Sequence, residues 1–156
     1  MLEIGLVILG FLGMEIFSWA FHKYLMHGVL WSIHKTHHQK QLGHFELNDL
    51  FSVFFGSIAI ILIVFGSGDF DYRFWIGCGI TLYGLVYFIL HDILIHRRAI
   101  KWKRPADYYL DGITRAHRAH HQSNQRDDSV SFGLLLVPRR YFKQRKDKTR
   151  TYINNH

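Results

Sequence analysis

At 156 residues the chain has room for one domain, and it is 49% hydrophobic and 16% aromatic while carrying a formal net charge of +7. Those properties conflict in a soluble domain of this size; they agree if the apolar residues form membrane spans and the basic ones gather at one surface. Cys78 is the only cysteine, which excludes an intrachain disulfide, a cysteine-based zinc cluster and an iron–sulfur site held by four cysteines.

Residues 2–21 are apolar apart from Glu3, Glu15 and Ser18. At about 1.5 Å per residue, such a helix just covers a hydrocarbon core of about 30 Å. The start Met1-Leu2-Glu3 lacks a basic region and Glu15 interrupts the apolar run, so no cleavable leader is expected. Further spans are expected over about 50–68 and 74–95, joined by a turn through Ser67-Gly68-Asp69-Phe70-Asp71-Tyr72-Arg73. The expected fold is a single all-α integral membrane domain over 1–156. It has three long transmembrane helices, room for a fourth short embedded helix around 29–45 or 128–138, and a cytoplasmic histidine-rich metal region.

Three spans leave residues 22–49 and 92–156 on one side. Of the 19 Lys and Arg, Arg73 alone falls on the other side. The positive-inside rule then makes the first side cytoplasmic and places the N-terminus outside. Phe132 to Pro138 is apolar but too short to cross, and is expected to pack under the metal region or dip into the interface. Residues 139–156 are strongly basic. They read either as a solvated tail or as a surface for anionic lipid or an acidic protein.

Ten of the twelve histidines fall in one pattern written twice. His22 and His27 precede His34, His37 and His38; His91 and His96 precede His117, His120 and His121. Imidazole suits iron, zinc, copper and nickel. Positions i, i+3 and i+4 of H-x2-H-H fall within about 100° of helical arc, so each triplet can face one centre. The H-x4-H pairs are harder to place, because positions i and i+5 lie about 140° and about 7.5 Å apart on an ideal helix. Either the helix loosens there, as at a π-bulge, or the two histidines serve different metals or roles.

Ten imidazoles are too many for one ion, and two metals is the simple count. The H-E-x-x-H motif is absent, as is the Glu-x-x-His motif of soluble di-iron bundles. An almost all-histidine di-iron site is the leading candidate. His44 and His156 read as structural.

Metal-bound imidazoles need an acceptor on their other nitrogen. Glu46, Asn48, Asp49, Asp92 and Asp111 are candidates, the alternative for each being a solvated loop side chain. Glu15 is a costly intramembrane carboxylate lying about two helical turns before His22. It is expected to face the bundle interior and support the site, the alternative being a protonated carboxyl near the far interface. Tyr87 and Tyr83 lie one and two turns below His91 and either line an apolar channel or simply pack.

Around these histidines the sequence resembles the bacterial carotenoid hydroxylases, within the wider fatty acid hydroxylase and sterol desaturase superfamily. The likeness runs through Gly13-Met14-Glu15, His22-Lys23-Tyr24-Leu25-Met26-His27-Gly28, Phe45-Glu46-Leu47-Asn48-Asp49-Leu50 and Thr81-Leu82-Tyr83-Gly84. It continues through Tyr87-Phe88-Ile89-Leu90-His91-Asp92, His117-Arg118-Ala119-His120-His121 and Ser131-Phe132-Gly133. The resemblance implies a non-haem di-iron monooxygenase of the bacterial inner membrane, with the ten histidines as ligands of two iron ions. It would take O2 and electrons from a ferredoxin-type donor and hydroxylate beta-carotene at ring carbon 3, giving beta-cryptoxanthin and then zeaxanthin. Membrane lipid is the other expected partner, and nucleic acid is not one.

A carotenoid ketolase, a desaturase or another lipid hydroxylase would share this chemistry. A histidine-rich metal transporter or sensor is a different class, disfavoured because the ligands cluster at one membrane face instead of forming a path across it. A membrane zinc hydrolase is disfavoured by the missing general-base motif.

Overall fold

The computed structural model describes residues 1–39, 45–98, 107–122 and 130–143, and every regular element among them is helical. Helix α1 (Leu2–Ala20) runs without a break into a π-helical segment, Phe21–Met26. Helix α2 (Trp31–His38) follows, then α3 (Asp49–Gly66). Helix α4 (Tyr72–Tyr87) runs into a second π-helical segment, Phe88–Ile95. Helices α5 (Tyr108–His120) and α6 (Arg140–Lys143) complete the order.

Three stretches, Leu2–Met26, Asp49–Gly66 and Tyr72–Ile95, are long and apolar enough to cross a bilayer. Large apolar side chains such as Leu9, Ile16, Val53, Ile61 and Phe65 stand exposed along them. Water would not tolerate such a continuous belt, but lipid requires one. The chain is an all-α integral membrane protein.

Helix α4 is the axis of the bundle. Both α1 and α3 pack along it, and they meet each other through the Phe17 and Phe55 rings. Glycine makes the close approaches: a Cβ on Gly10 would stand 2.5 Å from the Ile76 carbonyl oxygen, and one on Gly79 would collide with the Val7 carbonyl. This is how membrane helices associate where no hydrophobic drive separates helix from lipid. Asp71 caps α4 by accepting from the Arg73 amide at 2.8 Å, so the helix begins at Tyr72, slightly ahead of the expected span. Asp107 caps α5 by accepting from the Tyr109 and Leu110 amides.

Aromatic side chains mark both membrane ends. Trp75 donates to the Phe70 carbonyl in the turn between α3 and α4. At the opposite end Lys23 lies over the Trp19 and Tyr24 rings.

Of the two places considered for a short extra helix, 29–45 contains α2, whereas residues 130–138 form a non-helical strap. The basic stretch begins with α6, whose Phe142 packs on Tyr108 and Tyr109. Residues 144–156, with His156, lie outside the described residues, as does His44.

Candidate metal centre

The two π-helical segments decide how the H-x4-H pairs are used. The His27 amide donates to the His22 carbonyl at 3.0 Å, and the His96 amide to the His91 carbonyl at 2.9 Å. Each bond closes a wider i to i+5 turn than an α-helix allows, bringing residues five apart to one face. The His22 and His27 rings come within 5.2 Å, and those of His91 and His96 within 4.5 Å. The loosened helix, one of the two alternatives left by the sequence, is what forms.

The histidines divide into two adjoining clusters. His22, His27, His34 and His120 each offer a ring nitrogen within 4.8 Å of the others, and so do His37, His96, His117 and His121. His38 Nε2 lies 3.2 Å from His34 Nε2, which adds it to the first group. His91 Nε2 lies 3.1 Å from His37 Nε2, which adds it to the second. The groups meet where the His38 and His121 rings stack at 4.6 Å.

Each H-x2-H-H triplet is thereby split, not directed at a single point. Positions i and i+4 lie about 40° apart on a helix, with i+3 displaced to the other side of i. His34 and His38 therefore turn to the first group while His37 turns to the second. His117 and His121 turn to the second while His120 turns to the first. Each half of the duplicated pattern builds one cluster and lends its i+3 imidazole to the other.

His22 Nδ1 donates to the Phe132 carbonyl at 2.9 Å, and His34 Nδ1 to Asn48 Oδ1 at 2.8 Å. A neutral imidazole has one N–H, so both Nε2 atoms carry bare lone pairs. They nevertheless face each other at 2.9 Å. In the second cluster His37 Nδ1 donates to Glu46 at 2.7 Å and His91 Nδ1 to Asp92 at 3.3 Å, while their Nε2 atoms face at 3.1 Å. His121 Nε2 is buried with no hydrogen-bond partner. Opposed lone pairs in a buried site repel unless a cation lies between them. Two nitrogens about 2.1 Å from one metal at right angles are about 3.0 Å apart, so the residues present fit metal ions.

Burial keeps these rings unprotonated. It pushes His34, His96, His120 and His121 from 6.5 down to about 2, with neighbouring imidazoles adding to the effect. His37 and His117 are driven well below 6.5 for the same two reasons. Burial raises the Glu46 carboxyl, with Arg98 pulling the other way.

An outer layer fixes the rings. The stretch Phe45-Glu46-Leu47-Asn48-Asp49-Leu50 supplies acceptors to both clusters, Glu46 to His37 and Asn48 to His34. Asp49 instead accepts from Arg98 and from the Glu46 amide. Asp111 pairs with Arg115 at 3.3 Å. Glu15 is buried in the bundle interior. Its Oε2 accepts from the Tyr83 hydroxyl at 2.8 Å, and its Oε1 from the Leu135 and Leu136 amides.

Those amides belong to the 130–138 strap, whose Phe132 and Val130 carbonyls accept from His22 and His120. Ser131 between them has φ 65°, an uncommon backbone for a residue with a side chain. Backbone carbonyls leave no sequence signature, and Arg98 was legible only as one more basic residue.

A cavity of about 380 Å³ lies inside the spans beside the clusters. Phe21, Phe51, Phe55, Tyr83, Tyr87 and Phe88 line it, with Asn48 and Asp92 at its polar end. Tyr87 stacks on His91 at 4.5 Å, joining the cavity wall to the second cluster.

A membrane-embedded helical bundle with two polyhistidine clusters at one end defines a class, and comparison places the chain within it. Residues 7–138 match the fatty acid hydroxylase family, and the chain belongs to that family. It is similar to the beta-carotene hydroxylase of Pantoea ananas, 42% identical over 133 residues, spanning 85% of this chain and 76% of that one. The beta-carotene hydroxylase of Pseudescherichia vulneris is 45% identical over 132 residues, 85% and 75% of the two chains. That of Paracoccus sp. (strain PC1) is 40% identical over 139 residues, 88% and 86% of the two. No solved structure matches.

Proposed function

We propose that the chain is a di-iron membrane monooxygenase that hydroxylates the beta-ionone rings of beta-carotene at carbon 3, giving beta-cryptoxanthin and then zeaxanthin. The observation that carries this reading is the facing of bare imidazole nitrogens, in two clusters, beside an apolar cavity inside the membrane spans. The similarity to several beta-carotene hydroxylases over most of both chains supports it.

In this reading His22, His27, His34, His38 and His120 hold one iron, and His37, His91, His96, His117 and His121 the other. Bound iron supplies the O2 activation and oxidising strength that an unactivated ring C–H demands and that redox-inert zinc lacks. One oxygen atom enters the C–H bond and the other leaves as water, consuming two electrons and two protons. A ferredoxin-type donor delivers the electrons.

The chain's own residues do the rest. Phe132 and Val130 carbonyls, Asn48, Glu46 and Asp92 hold the Nδ1 protons, so that Nε2 lone pairs face inward. The aromatic cavity takes the ring and excludes water, with Asn48 and Asp92 at the reacting end. Asp49 acts through Arg98, and Glu15 positions His22 through the strap. Because the cavity lies within the spans, the substrate enters from lipid. The basic side faces the cytoplasm of a bacterial inner membrane, with the N-terminus outside, and attracts an acidic donor.

Pigment analysis after expression in a beta-carotene-producing host tests the proposal. Zeaxanthin and beta-cryptoxanthin are expected from the parent chain and neither from His120→Ala. Keto products, or unchanged beta-carotene with the protein present in the membrane, would overturn it.

A further inference from the structure

We infer that Arg98 is a positioning residue for one metal of the pair, clamping the two carboxylates that hold the imidazole protons of His37 and His91. The inference rests on the two-metal reading above.

The geometry is specific. Arg98 Nη1 donates to Asp49 Oδ1 at 2.8 Å and to Asp92 Oδ1 at 2.9 Å. Its Nη2 donates to Asp49 Oδ2 at 2.9 Å and lies 3.7 Å from Glu46 Oε1. The guanidinium thus ties the start of α3 to the π-helical segment after α4. The backbone delivers it there: Arg97, just after His96, has φ 56°, and the Arg98 amide then turns back to the Asp92 carbonyl at 2.9 Å.

Two of the three carboxylates face histidines of the second cluster. Glu46 Oε2 accepts from His37 at 2.7 Å, and the same Asp92 Oδ1 that meets Arg98 accepts from His91 at 3.3 Å. Asp49 orients Glu46 through the Glu46 amide at 2.9 Å. Three carboxylates crowd one guanidinium, and without it their mutual repulsion would drive them apart. That movement withdraws the acceptor behind His37 and His91, and with it the aim of their Nε2 atoms. A planar fork serves three acceptors in a way that a lysine ammonium cannot. In the first cluster, the Nδ1 protons of His34 and His22 go instead to the Asn48 side chain and the Phe132 carbonyl.

The test uses the full chain purified in detergent, stripped by chelator and titrated anaerobically with Fe(II). Metal content comes from elemental analysis, and Co(II) absorption provides a spectroscopic duplicate. The parent is expected to bind two metals per chain. Arg98→Ala is expected to weaken one of the two binding steps by roughly 10–100-fold and leave the other unchanged. Glu46→Gln should weaken the same step, Arg98→Lys should lie between, and Asn48→Ala should weaken the other step. Parent-like binding of both metals by Arg98→Ala, or equal weakening of both steps in Arg98→Ala and Glu46→Gln alike, would overturn the inference. A parent chain that binds fewer than two metals would overturn the two-metal reading itself, and the inference with it, before any variant is compared.

Discussion

The Tyr83 hydroxyl donates to Glu15 Oε2 at 2.8 Å in the interior of the bundle, while Glu15 Oε1 takes the amides of Leu135 and Leu136 at 3.0 and 2.9 Å. A carboxylate that would be a liability in a lipid-facing helix thus holds the strap that holds His22. Glu15→Ala leaves the buried Tyr83 hydroxyl and two part-buried amides without this acceptor, the buried donor alone costing about 1–3 kcal/mol. That variant should melt at a clearly lower temperature in detergent and hold metal poorly. Glu15→Gln keeps an oxygen for the two amides and should retain both metals. Loss of metal from Glu15→Gln with an unchanged melting temperature would mean that the carboxylate is itself a ligand.

The cavity offers a separate handle, because two of its wall glycines face open space. A Cβ on Gly84 or Gly56 meets nothing within 4 Å. Gly84→Leu should therefore fill cavity volume without displacing a helix. Metal content and melting temperature are expected to stay near parental values. Hydroxylation of a bulky ring should fall roughly tenfold or more as its placement is disturbed. Gly5→Leu, equally open but away from the cavity, is the control. Equal activity in both variants would remove this cavity from substrate binding.

Acid should unfold the metal-free chain for a reason that can be signed in advance. His34, His96, His120 and His121 sit at about 2 in the folded protein against 6.5 for a free imidazole. Below 6.5 the unfolded chain takes up protons that the folded chain refuses, so stability falls as pH falls through that window. Each such histidine removes about 1 kcal/mol per pH unit. The melting temperature of the metal-free chain should be highest near neutrality and drop steeply from about pH 6.5 to about pH 5. A flat profile over that interval would show that these rings are not held neutral by burial.

The parts of this architecture legible in the sequence are those set by one-dimensional physics. Leu50–Gly68 and Phe74–His91 carry no Asp, Glu, Lys or Arg, and the bilayer fixes the length of helix they make. The repeated spacing of ten histidines announced a metal region before any contact was known. What could not be read depends on how elements dock. The choice of a π-helical turn at His22–His27 is settled by where both imidazoles must point, not by local propensity. Likewise the Val130 and Phe132 carbonyls act through backbone that any residues would supply.

The exchange of i+3 histidines between the halves gives the sharpest mutational contrast. His120 stands 3.2 Å, nitrogen to nitrogen, from His27, and His37 stands 3.1 Å from His91. Each therefore serves the cluster built by the other half of the sequence pattern. If every triplet served its own half, His37→Ala and Asn48→Ala would strike the same metal, and the double variant would lose no more than the worse single one. With the crossing seen here the two changes fall on different metals. His37→Ala should lower metal content from about two per chain to about one, as should His120→Ala. His37→Ala combined with His96→Ala should still leave about one metal, because both rings serve the second cluster. Loss of both metals by that double variant would show that the triplets are not shared between clusters, because each half would then have lost an imidazole of its own.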